Sequence, residues 1–548
     1  MTDVEELPLT LLGFFDASKA AGTQDMTHEF VIVGSGINSL VCAAILAKAG
    51  KRVLVLERND QVGGCIRTEE LFPGYTHDIL SSWYPLFVAS PSYEALGPDL
   101  HAAGLEFSTT DNYTGVLTDE GQSLVLHTSE KTTVERLEAV AEGDGERYSL
   151  ALGDFFSENA DLTFGLLGNP LWSAQTAKLM FTESRRRGIR GTFEFFGESL
   201  ESCRTWLERD FESELTRALI APWVLHAGLG PDDTYSGLMA KVIMGAIGMT
   251  NIPVVTGGSR VIVDAFRAVI DANGGTIVTD ADVEAIIVHG GEATGVRTTD
   301  GTSYPADRGV ICNVTPTQLY GRLLEGEVPE DTKARADRYR YGRADMQIHY
   351  ALDSPPEWPD DELATTAMIH LTPGLDGVSK AVNEAERGLL PETATIVVGQ
   401  QAVLDPTRVP DGKSLLWIQL QELPRRIKGD AAGRIDVGAD GSWTTEIGEA
   451  YADRIQARLG RQIPNLVSSI VGRKVFTPSD LESLNVNLVG GDPYSGACTI
   501  DQFLVWRPFP GSKNHETPIE KLYHIGASTH PGPGLGGNSG FMVANRLT

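Results

Sequence analysis

Cysteine is scarce in this chain, and no two cysteines have the spacing of a redox or metal-binding pair. The sequence has 5 cysteines among 548 residues, and none of them forms a C-x-x-C motif. This spacing excludes a dithiol redox motif and a zinc finger of the usual pattern. Few cysteines in so long a chain are typical of a reducing compartment, so we predict a cytoplasmic protein without a metal site.

Long apolar runs are also missing. A helix that spans a bilayer needs roughly 18–20 apolar residues, and the longest candidate, residues 238–249, is interrupted by Lys241 and by glycines. Residues 1–25 are acidic and lack the basic region of a signal peptide. Residues 9–15 are apolar enough to dock on the body of the protein or on another copy of the chain, and disorder is the open alternative.

Positive charge is in deficit. The chain has 45 basic and 74 acidic residues, a formal net charge of −29. A surface this negative repels nucleic acid and anionic lipid head groups, so we expect no nucleic-acid partner. The length and a 41% content of hydrophobic residues predict two intertwined domains with an ample core.

The rest of the chain is organised around residues 28–58. Residues 30–33 form an apolar run typical of a buried parallel strand, residues 38–48 have helical apolar spacing, and residues 52–56 form a second apolar strand. A glycine-rich turn lies between the first strand and the helix. Together these elements predict a βαβ unit that binds a dinucleotide.

The residue types in this unit explain that chemistry. Gly34 permits a sharp turn, and Gly36 has no side chain to keep a pyrophosphate from the helix N-terminus. Glu57, at the end of the second strand, can accept hydrogen bonds from a ribose. The third glycine of the usual fingerprint is replaced by Ser39, which is small enough to pack the helix against the strand.

A second glycine motif follows directly. Gly63, Gly64 and Arg67 after the acidic residue resemble the second flavin motif of FAD enzymes of the glutathione reductase and amine oxidase types. The resemblance places Arg67 near the diphosphate or the flavin, and a surface turn with a solvated arginine is the alternative. His77 and Asp78 follow soon after, so they either pass near the flavin ring or only stabilise a turn.

Two later regions complete the pattern. Residues 146–249 are helical and rich in aromatics, and they either roof an apolar pocket or form an ordinary helical core. Their basic cluster, residues 185–187, is either a solvated turn or a contact for an anionic partner, and it is compatible with peripheral membrane contact. Residues 526–538 form a glycine- and proline-rich loop between a strand and a helix, whose N-terminus we expect to face the flavin.

The two ends of the chain, with TPSDLE at 477–482 and LVGGDPYSGACTIDQFLVWRPFP at 488–510, resemble the phytoene desaturase-related FAD oxidoreductases. Within that superfamily the sequence is most similar to the branch that resembles pyridine nucleotide-disulfide oxidoreductase domain-containing protein 2 and retinol saturase. The resemblance covers residues 28–547. The branch name suggests disulfide reduction, which the unpaired cysteines disfavour.

This resemblance implies an α/β fold: a glutathione-reductase-type, Rossmann-like FAD-binding domain with an interleaved α+β substrate domain. The implied segments are 26–145, 251–330 and 485–548 for the FAD-binding domain, and 146–250 and 331–484 for the substrate domain. The FAD contacts carried over by motif position are Gly34, Gly36, Asn38, Ser39, Glu57, Arg58, Gly63, Gly64, Arg67, Val283, Gly526, Gly536, Gly537 and Asn538.

The implied chemistry is transfer of a hydride from an apolar, unsaturated or isoprenoid-like substrate to flavin N5. His530 in the flavin loop is the first candidate for a catalytic base and Asp78 the second, although His530 can instead order the loop. No second Rossmann unit is evident, which favours oxygen or a quinone as electron acceptor. A redox-neutral isomerase and a flavin-containing interaction protein remain alternatives, and the oligomeric state stays open.

Overall fold

The structure is a computed structural model that describes residues 27–548. The apolar segment 9–15 lies outside the described residues. The strands, in chain order, are β1 His28–Val33, β2 Val53–Leu56, β3 Thr68–Phe72, β4 Tyr75–Asp78, β5 Phe107–Ser108, β6 Asn112–Thr118, β7 Ser123–His127, β8 Val254–Val255, β9 Thr276–Val278, β10 Val283–His289, β11 Glu292–Thr298, β12 Ser303–Asn313, β13 Ala344–Leu352, β14 Met368–Thr372, β15 Leu389–Leu390, β16 Ile396–Gly399, β17 Ser414–Leu423, β18 Gly429–Asp430, β19 Ile470–Phe476 and β20 Leu522–Ile525.

The α-helices are α1 Ile37–Lys48, α2 Pro85–Val88, α3 Pro91–Ala102, α4 Glu130–Val140, α5 Asp144–Asp154, α6 Ala160–Gly168, α7 Ala174–Ser199, α8 Cys203–Asp210, α9 Glu214–Ile220, α10 Ser236–Thr250, α11 Arg260–Ala272, α12 Pro316–Gln318, α13 Glu330–Ala336, α14 Gly374–Glu386, α15 Gln401–Leu404, α16 Thr445–Gln462, α17 Leu466–Ser469, α18 Pro478–Leu484 and α19 Asn538–Leu547. Among residues 27–548, no helix combines the length and the apolar character needed to cross a bilayer.

The first sheet contains the predicted βαβ unit. Its parallel part has the order β9-β2-β1-β12-β20, and β11 and β10 extend it through antiparallel pairing with the first half of β12. Both faces of β1 are buried: Phe30 and Ile32 face the layer of α1, α11 and α19, whereas Val31 and Val33 face the opposite side. This two-sided burial explains why β1 has a continuous apolar run.

The second sheet is mixed and has the order β19-β13-β17-β16-β14-β6-β7. One of its faces packs on α16, where Ile348 and Ile418 contact the cluster that includes Tyr451. The other face is polar near the middle of β13 and β17. Side chains alternate between the two faces along each strand, so a single strand contributes to both environments.

Strands β6 and β7 correct the domain assignment. We predicted the whole of residues 26–145 as FAD-binding domain, but Gly115 of β6 pairs with Ile369 of β14 in the second sheet. The alternating residues 113–117 and 123–126 do predict two antiparallel strands. Alternation identifies a strand but does not specify the sheet it joins, because that choice depends on distant partners.

The aromatic residues of the helical region have different environments. Trp206, Phe211 and Trp223 are buried in a core cluster, whereas Phe181 and Phe193 are 68% and 73% exposed on α7. Helix α7 is kinked at Gly188, whose φ is 72°. The basic cluster of residues 185–187 lies on the same helix, and two of its arginines form ion pairs instead of being simply solvated.

Two arginines of that cluster are paired within the helical region. The Arg186 guanidinium lies 2.8 Å from a carboxylate oxygen of Glu158 and 2.8 Å from one of Glu183. Arg187 lies 3.2 Å from the same Glu183 carboxylate. The pair with Glu158 connects α7 to the segment that precedes α6, whereas the pairs with Glu183 lie within α7.

Candidate functional site

A large cavity lies between the two sheets. Its volume is about 900 Å³, and it extends from the carboxyl ends of β1 and β2 to the polar face of the second sheet. In an α/β sheet, ligands bind at the carboxyl ends of the strands. The cavity therefore joins a predicted nucleotide end to a second, structurally different end.

The glycine turn forms the wall at the nucleotide end. Gly34 has a φ of 84°, in the left-handed region that favours glycine. A Cβ atom on Gly36 would lie 3.0 Å from Asn313 Nδ2, and one on Gly64 would lie 3.0 Å from the Gly36 Cα. The two glycine motifs are therefore in contact, and their lack of side chains leaves bare backbone facing the cavity.

Glu57 is fixed at the end of β2. Its Oε2 accepts hydrogen bonds from the backbone N of Ser35 at 2.9 Å and from Ser35 Oγ at 2.6 Å, and its Oε1 accepts one from the Asn59 N at 2.9 Å. The residue is buried and lines the cavity. The carboxylate therefore lies next to the position that a ribose takes in a dinucleotide site.

Two helix N-termini meet at this end. Asn38, in the first turn of α1, accepts a hydrogen bond through Oδ1 from Ser539 Oγ of α19 at 2.7 Å. The helices approach so closely that a Cβ atom on Gly540 would lie 1.8 Å from the Asn38 carbonyl oxygen. Helix N-termini present unpaired N–H groups and partial positive charge, which suit a diphosphate and a ring that gains negative charge.

Most of the predicted cofactor contacts lie together here. The cavity is lined by Gly34, Gly36, Asn38, Glu57, Arg58, Gly63, Gly64, Val283, Gly536, Gly537 and Asn538. Three predicted contacts are absent from this lining. Ser39 is buried and its Oγ accepts a hydrogen bond from Asn313 Nδ2 at 3.0 Å, as expected for a residue that packs the helix on the sheet.

Arg67 and Gly526 are the other two. The Arg67 guanidinium pairs with Glu69 rather than facing the cavity. Gly526 lies behind the wall, where its N–H donates to Ser539 Oγ at 2.8 Å and an added Cβ would lie 2.2 Å from Asn313 Oδ1. Motif position predicted that these residues lie close to the site but not which way they face.

The far end of the cavity is largely apolar. Helix α10 contributes Met239, Ile243 and Ala246. Phe164 comes from α6 and Phe156 from the turn that precedes α6. Trp223 and Met368 complete this wall. An apolar pocket with few polar groups is typical of a site for a hydrophobic small molecule.

Comparison with known families identifies the cofactor end. Residues 40–421 match the model of the family described as flavin containing amine oxidoreductase. That match covers most of the chain. The chain belongs to this family. The protein is an FAD-dependent oxidoreductase, and the bare glycine turns, the fixed Glu57 carboxylate and the paired helix N-termini fit that cofactor.

Curated relatives are similar in sequence over nearly their whole length. A limonene dehydrogenase chain of Castellaniella defragrans is 26% identical over 542 residues, covering 95% of this chain and 94% of that protein. Pyridine nucleotide-disulfide oxidoreductase domain-containing protein 2 of Rattus norvegicus is 26% identical, with coverages of 96% and 94%. The zeta-carotene-forming phytoene desaturase of Myxococcus xanthus is 24% identical, with coverages of 94% and 92%.

A solved structure shows the same fold. An oxidoreductase from Methanosarcina mazei superposes with a TM-score of 0.57 at 17% identity, covering 95% of this chain and 100% of that chain. Together with the family match, this confirms the predicted α/β fold with a Rossmann-like FAD-binding domain.

The position of His530 is at odds with its predicted role in this flavoprotein. Its side chain faces a separate pocket of about 30 Å³ together with His515, and it does not line the large cavity. Nε2 donates a hydrogen bond to the Asn169 carbonyl oxygen at 3.1 Å. Burial lowers the pKa of His530 to about 3. The loop position was predicted correctly, but the side chain projects from the far side of the loop.

Asp78 is also not placed as a catalytic base. It is buried outside the cavity lining, and its Oδ2 accepts hydrogen bonds from Arg408 Nη1 at 2.7 Å and Ser82 Oγ at 2.6 Å. Burial alone would raise the pKa of Asp78, but Arg408 and the hydrogen bonds outweigh it and lower the pKa. A fully partnered, ionised carboxylate of this kind has a structural role.

Further polar groups that face the cavity lie on the second sheet. Asp345 and Gln347 of β13 and Gln419 and Gln421 of β17 all line it. None of these residues was predicted. A signal exists in the sequence, because polar residues alternate with apolar ones in DMQ and IQLQ within strands that are otherwise buried.

A histidine pair borders the same face. Nε2 of His226 lies 3.0 Å from Nε2 of His370, and His226 lines the cavity. Burial lowers the pKa of His226 to about 4 and lowers that of His370 well below its ordinary value. Both rings are therefore neutral at pH 7, and one of the two facing nitrogens carries the shared proton.

Proposed function

We propose that this flavoprotein oxidises an apolar, unsaturated or isoprenoid-like substrate by removing a hydride to flavin N5. When bound, FAD accepts the hydride and stores its two electrons. The observation that supports the proposal is the continuity of the cavity: one end has the cofactor-binding turns, and the other has an apolar wall formed by α10 and neighbouring aromatics.

The residues at each end have distinct tasks. Backbone at Gly34, Gly36 and Gly64 would receive the dinucleotide, and Glu57 would hold its ribose. The wall formed by Ile243 and Ala246 binds a hydrocarbon chain and keeps water out of the reaction site.

The similarity to limonene dehydrogenase and to phytoene desaturases supports the substrate class, since the names of these relatives refer to unsaturated hydrocarbons. For the electron acceptor we propose oxygen or a quinone. The alternative of a flavin-containing interaction protein without turnover requires no space beyond the cofactor, whereas the cavity extends well past the glycine turns.

The test is anaerobic titration of the purified holoprotein with phytoene, limonene and putrescine while the flavin absorbance is recorded. We expect phytoene or limonene to bleach the oxidised flavin band and putrescine to leave it unchanged. Bleaching by putrescine alone would contradict the apolar substrate class. A shifted double bond without bleaching would indicate a redox-neutral isomerase instead.

A further inference from the structure

A buried carboxyl group lies on the cavity face of the second sheet. Asp345 is 2% exposed and stands two positions before Gln347 on β13, so both side chains project from the same face. Gln419 and Gln421 occupy the equivalent face of the adjacent β17. All four line the cavity whose other end binds the cofactor.

The direct partners of Asp345 are neutral. Its Oδ2 accepts hydrogen bonds from Gln419 Nε2 at 2.6 Å and Gln347 Nε2 at 3.3 Å, and its Oδ1 accepts one from the Met346 N at 2.8 Å. Burial raises the pKa of Asp345 to about 7, against the smaller lowering effect of these hydrogen bonds. A carboxyl group in this range can both take and release a proton near neutral pH.

The neighbouring charged groups, Arg343 and Asp492, have partners other than Asp345. Arg343, two positions earlier in the chain, lies 3.0 Å from a carboxylate oxygen of Glu386. Asp492 accepts backbone hydrogen bonds from three residues, including Gly342 and Tyr494, each at 2.8 Å. Neither group is among the hydrogen-bond partners of Asp345.

The neighbouring uncharged groups complete the environment. The Tyr494 hydroxyl donates to the Leu225 carbonyl oxygen at 2.6 Å, and burial, followed by the nearby Asp345, raises the pKa of Tyr494 well above its ordinary value. The buried His226 is neutral at pH 7. Among these cavity-facing groups, Asp345 has both a position in the lining and a carboxyl group that can change protonation near neutral pH.

We propose that Asp345 is the residue that takes the proton during substrate oxidation, and that Gln419 and Gln347 position its carboxylate. This inference rests on the proposed function. The hydrogen of one substrate C–H bond leaves as a hydride, together with the electron pair of that bond. The adjacent C–H bond breaks, its electron pair forms the new C=C bond, and its proton passes to the Asp345 carboxylate. Asp345 then releases the proton to water.

The first test uses the flavin spectrum and needs no substrate. The absorbance of the holoprotein is titrated from about pH 5 to about pH 9 in the wild type, Asp345→Asn and Glu422→Gln. Glu422 is the matched control, because it is a buried carboxyl group on β17 whose pKa burial also raises to about 7, yet it does not line the cavity.

We expect the flavin band to shift near neutral pH in the wild type and in Glu422→Gln, and to stay constant in Asp345→Asn. Gln419→Leu should move the midpoint upward, because the carboxylate loses its 2.6 Å hydrogen bond. A shift that persists in Asp345→Asn, or a wild type with no shift, would overturn the assignment of Asp345. An unchanged midpoint in Gln419→Leu would overturn the positioning role of Gln419.

The second test measures the rate of anaerobic flavin reduction in a single turnover with phytoene or limonene. Loss of a positioned acid–base group typically slows a reaction by about 10²–10⁴-fold, so Asp345→Asn should be slower by this factor while Glu422→Gln keeps the wild-type rate. Equal rates in Asp345→Asn and the wild type would overturn the proposal. If neither compound reduces the wild type, the proposed function fails, whereas the absorbance titration still decides the role of Asp345.

Discussion

The two ends of the cavity are built from different parts of the polypeptide. At the cofactor end the binding groups are mostly backbone, exposed by Gly34, Gly36 and Gly64 and by two helix N-termini. At the substrate end they are side chains, apolar ones from α10 and polar ones from strands, such as Asp345 and Gln419. Backbone sites follow from local sequence motifs, whereas side-chain sites require strands distant in sequence to pair.

Breaking a buried ion pair that belongs to neither end of the cavity should have the largest effect on stability. Arg408 is buried between Asp78 and Asp405, at 2.7 Å and 3.0 Å. Arg408→Met leaves two buried carboxylates without their cation and should lower the free energy of unfolding by about 3–5 kcal/mol. Urea denaturation measures this loss.

The rate of reduction per bound flavin should stay unchanged in Arg408→Met. Arg190→Met, which removes an exposed ion pair with Glu194, is the control and should keep wild-type stability. Wild-type stability combined with a reduced rate in Arg408→Met would instead place Asp78 in the catalytic machinery.

The cofactor end is tested by a matched pair of glycines that flank α1. Gly34 and Gly50 both have positive φ, of 84° and 74°. A Cβ on Gly34 would lie 3.2 Å from the Asn313 carbonyl oxygen, whereas one on Gly50 would meet nothing within 4 Å. Each alanine costs about 1 kcal/mol of backbone strain.

We therefore expect Gly34→Ala to lose most of its flavin and Gly50→Ala to retain it, as measured by the ratio of flavin to protein absorbance. Equal flavin content in the two variants would show that the turn does not control cofactor binding.

At the substrate end, Asp345 should make the free energy of unfolding depend on pH. The pKa of Asp345 is about 7 in the folded protein, against an ordinary value of 3.8. Between these values the folded protein holds a proton that the unfolded chain releases, so the free energy of unfolding falls as pH rises. Asp345→Asn should make this fall shallower by about 1.4 kcal/mol per pH unit. Urea denaturation at about pH 5 and about pH 7 measures it, and equal slopes would contradict the burial of Asp345 as a neutral acid.

Substitution of His530 should have the smallest effect on stability and on the rate of flavin reduction. His530→Leu removes the hydrogen bond to the Asn169 carbonyl oxygen, which is worth about 1 kcal/mol of stability. Because the ring faces away from the large cavity, flavin reduction should remain within about threefold of the wild type. A rate loss as large as that expected for Asp345→Asn would restore His530 as the base.

The same difference explains what the sequence could predict. The βαβ unit and the strand Leu522–Ile525 follow from glycine spacing and apolar runs, since these features act within a few dozen residues. Most of the cofactor contacts that the family resemblance implies line the cavity. The pairing of β6 with β14 could not be predicted in this way. Nor could the direction of the His530 side chain, which depends on a tertiary contact with Asn169. Motif position also did not predict that Arg67 pairs with Glu69, two positions along the chain.

The most direct measurement compares anaerobic flavin reduction in the wild type, Ala246→Phe and Ala246→Ser with phytoene or limonene. Ala246 lines the apolar end and is 2% exposed, so phenylalanine fills the space proposed for the substrate whereas serine changes its size little. We predict that Ala246→Phe keeps its bound flavin but is reduced at least about tenfold more slowly, while Ala246→Ser resembles the wild type. Equal rates in all three proteins would contradict substrate oxidation in this cavity.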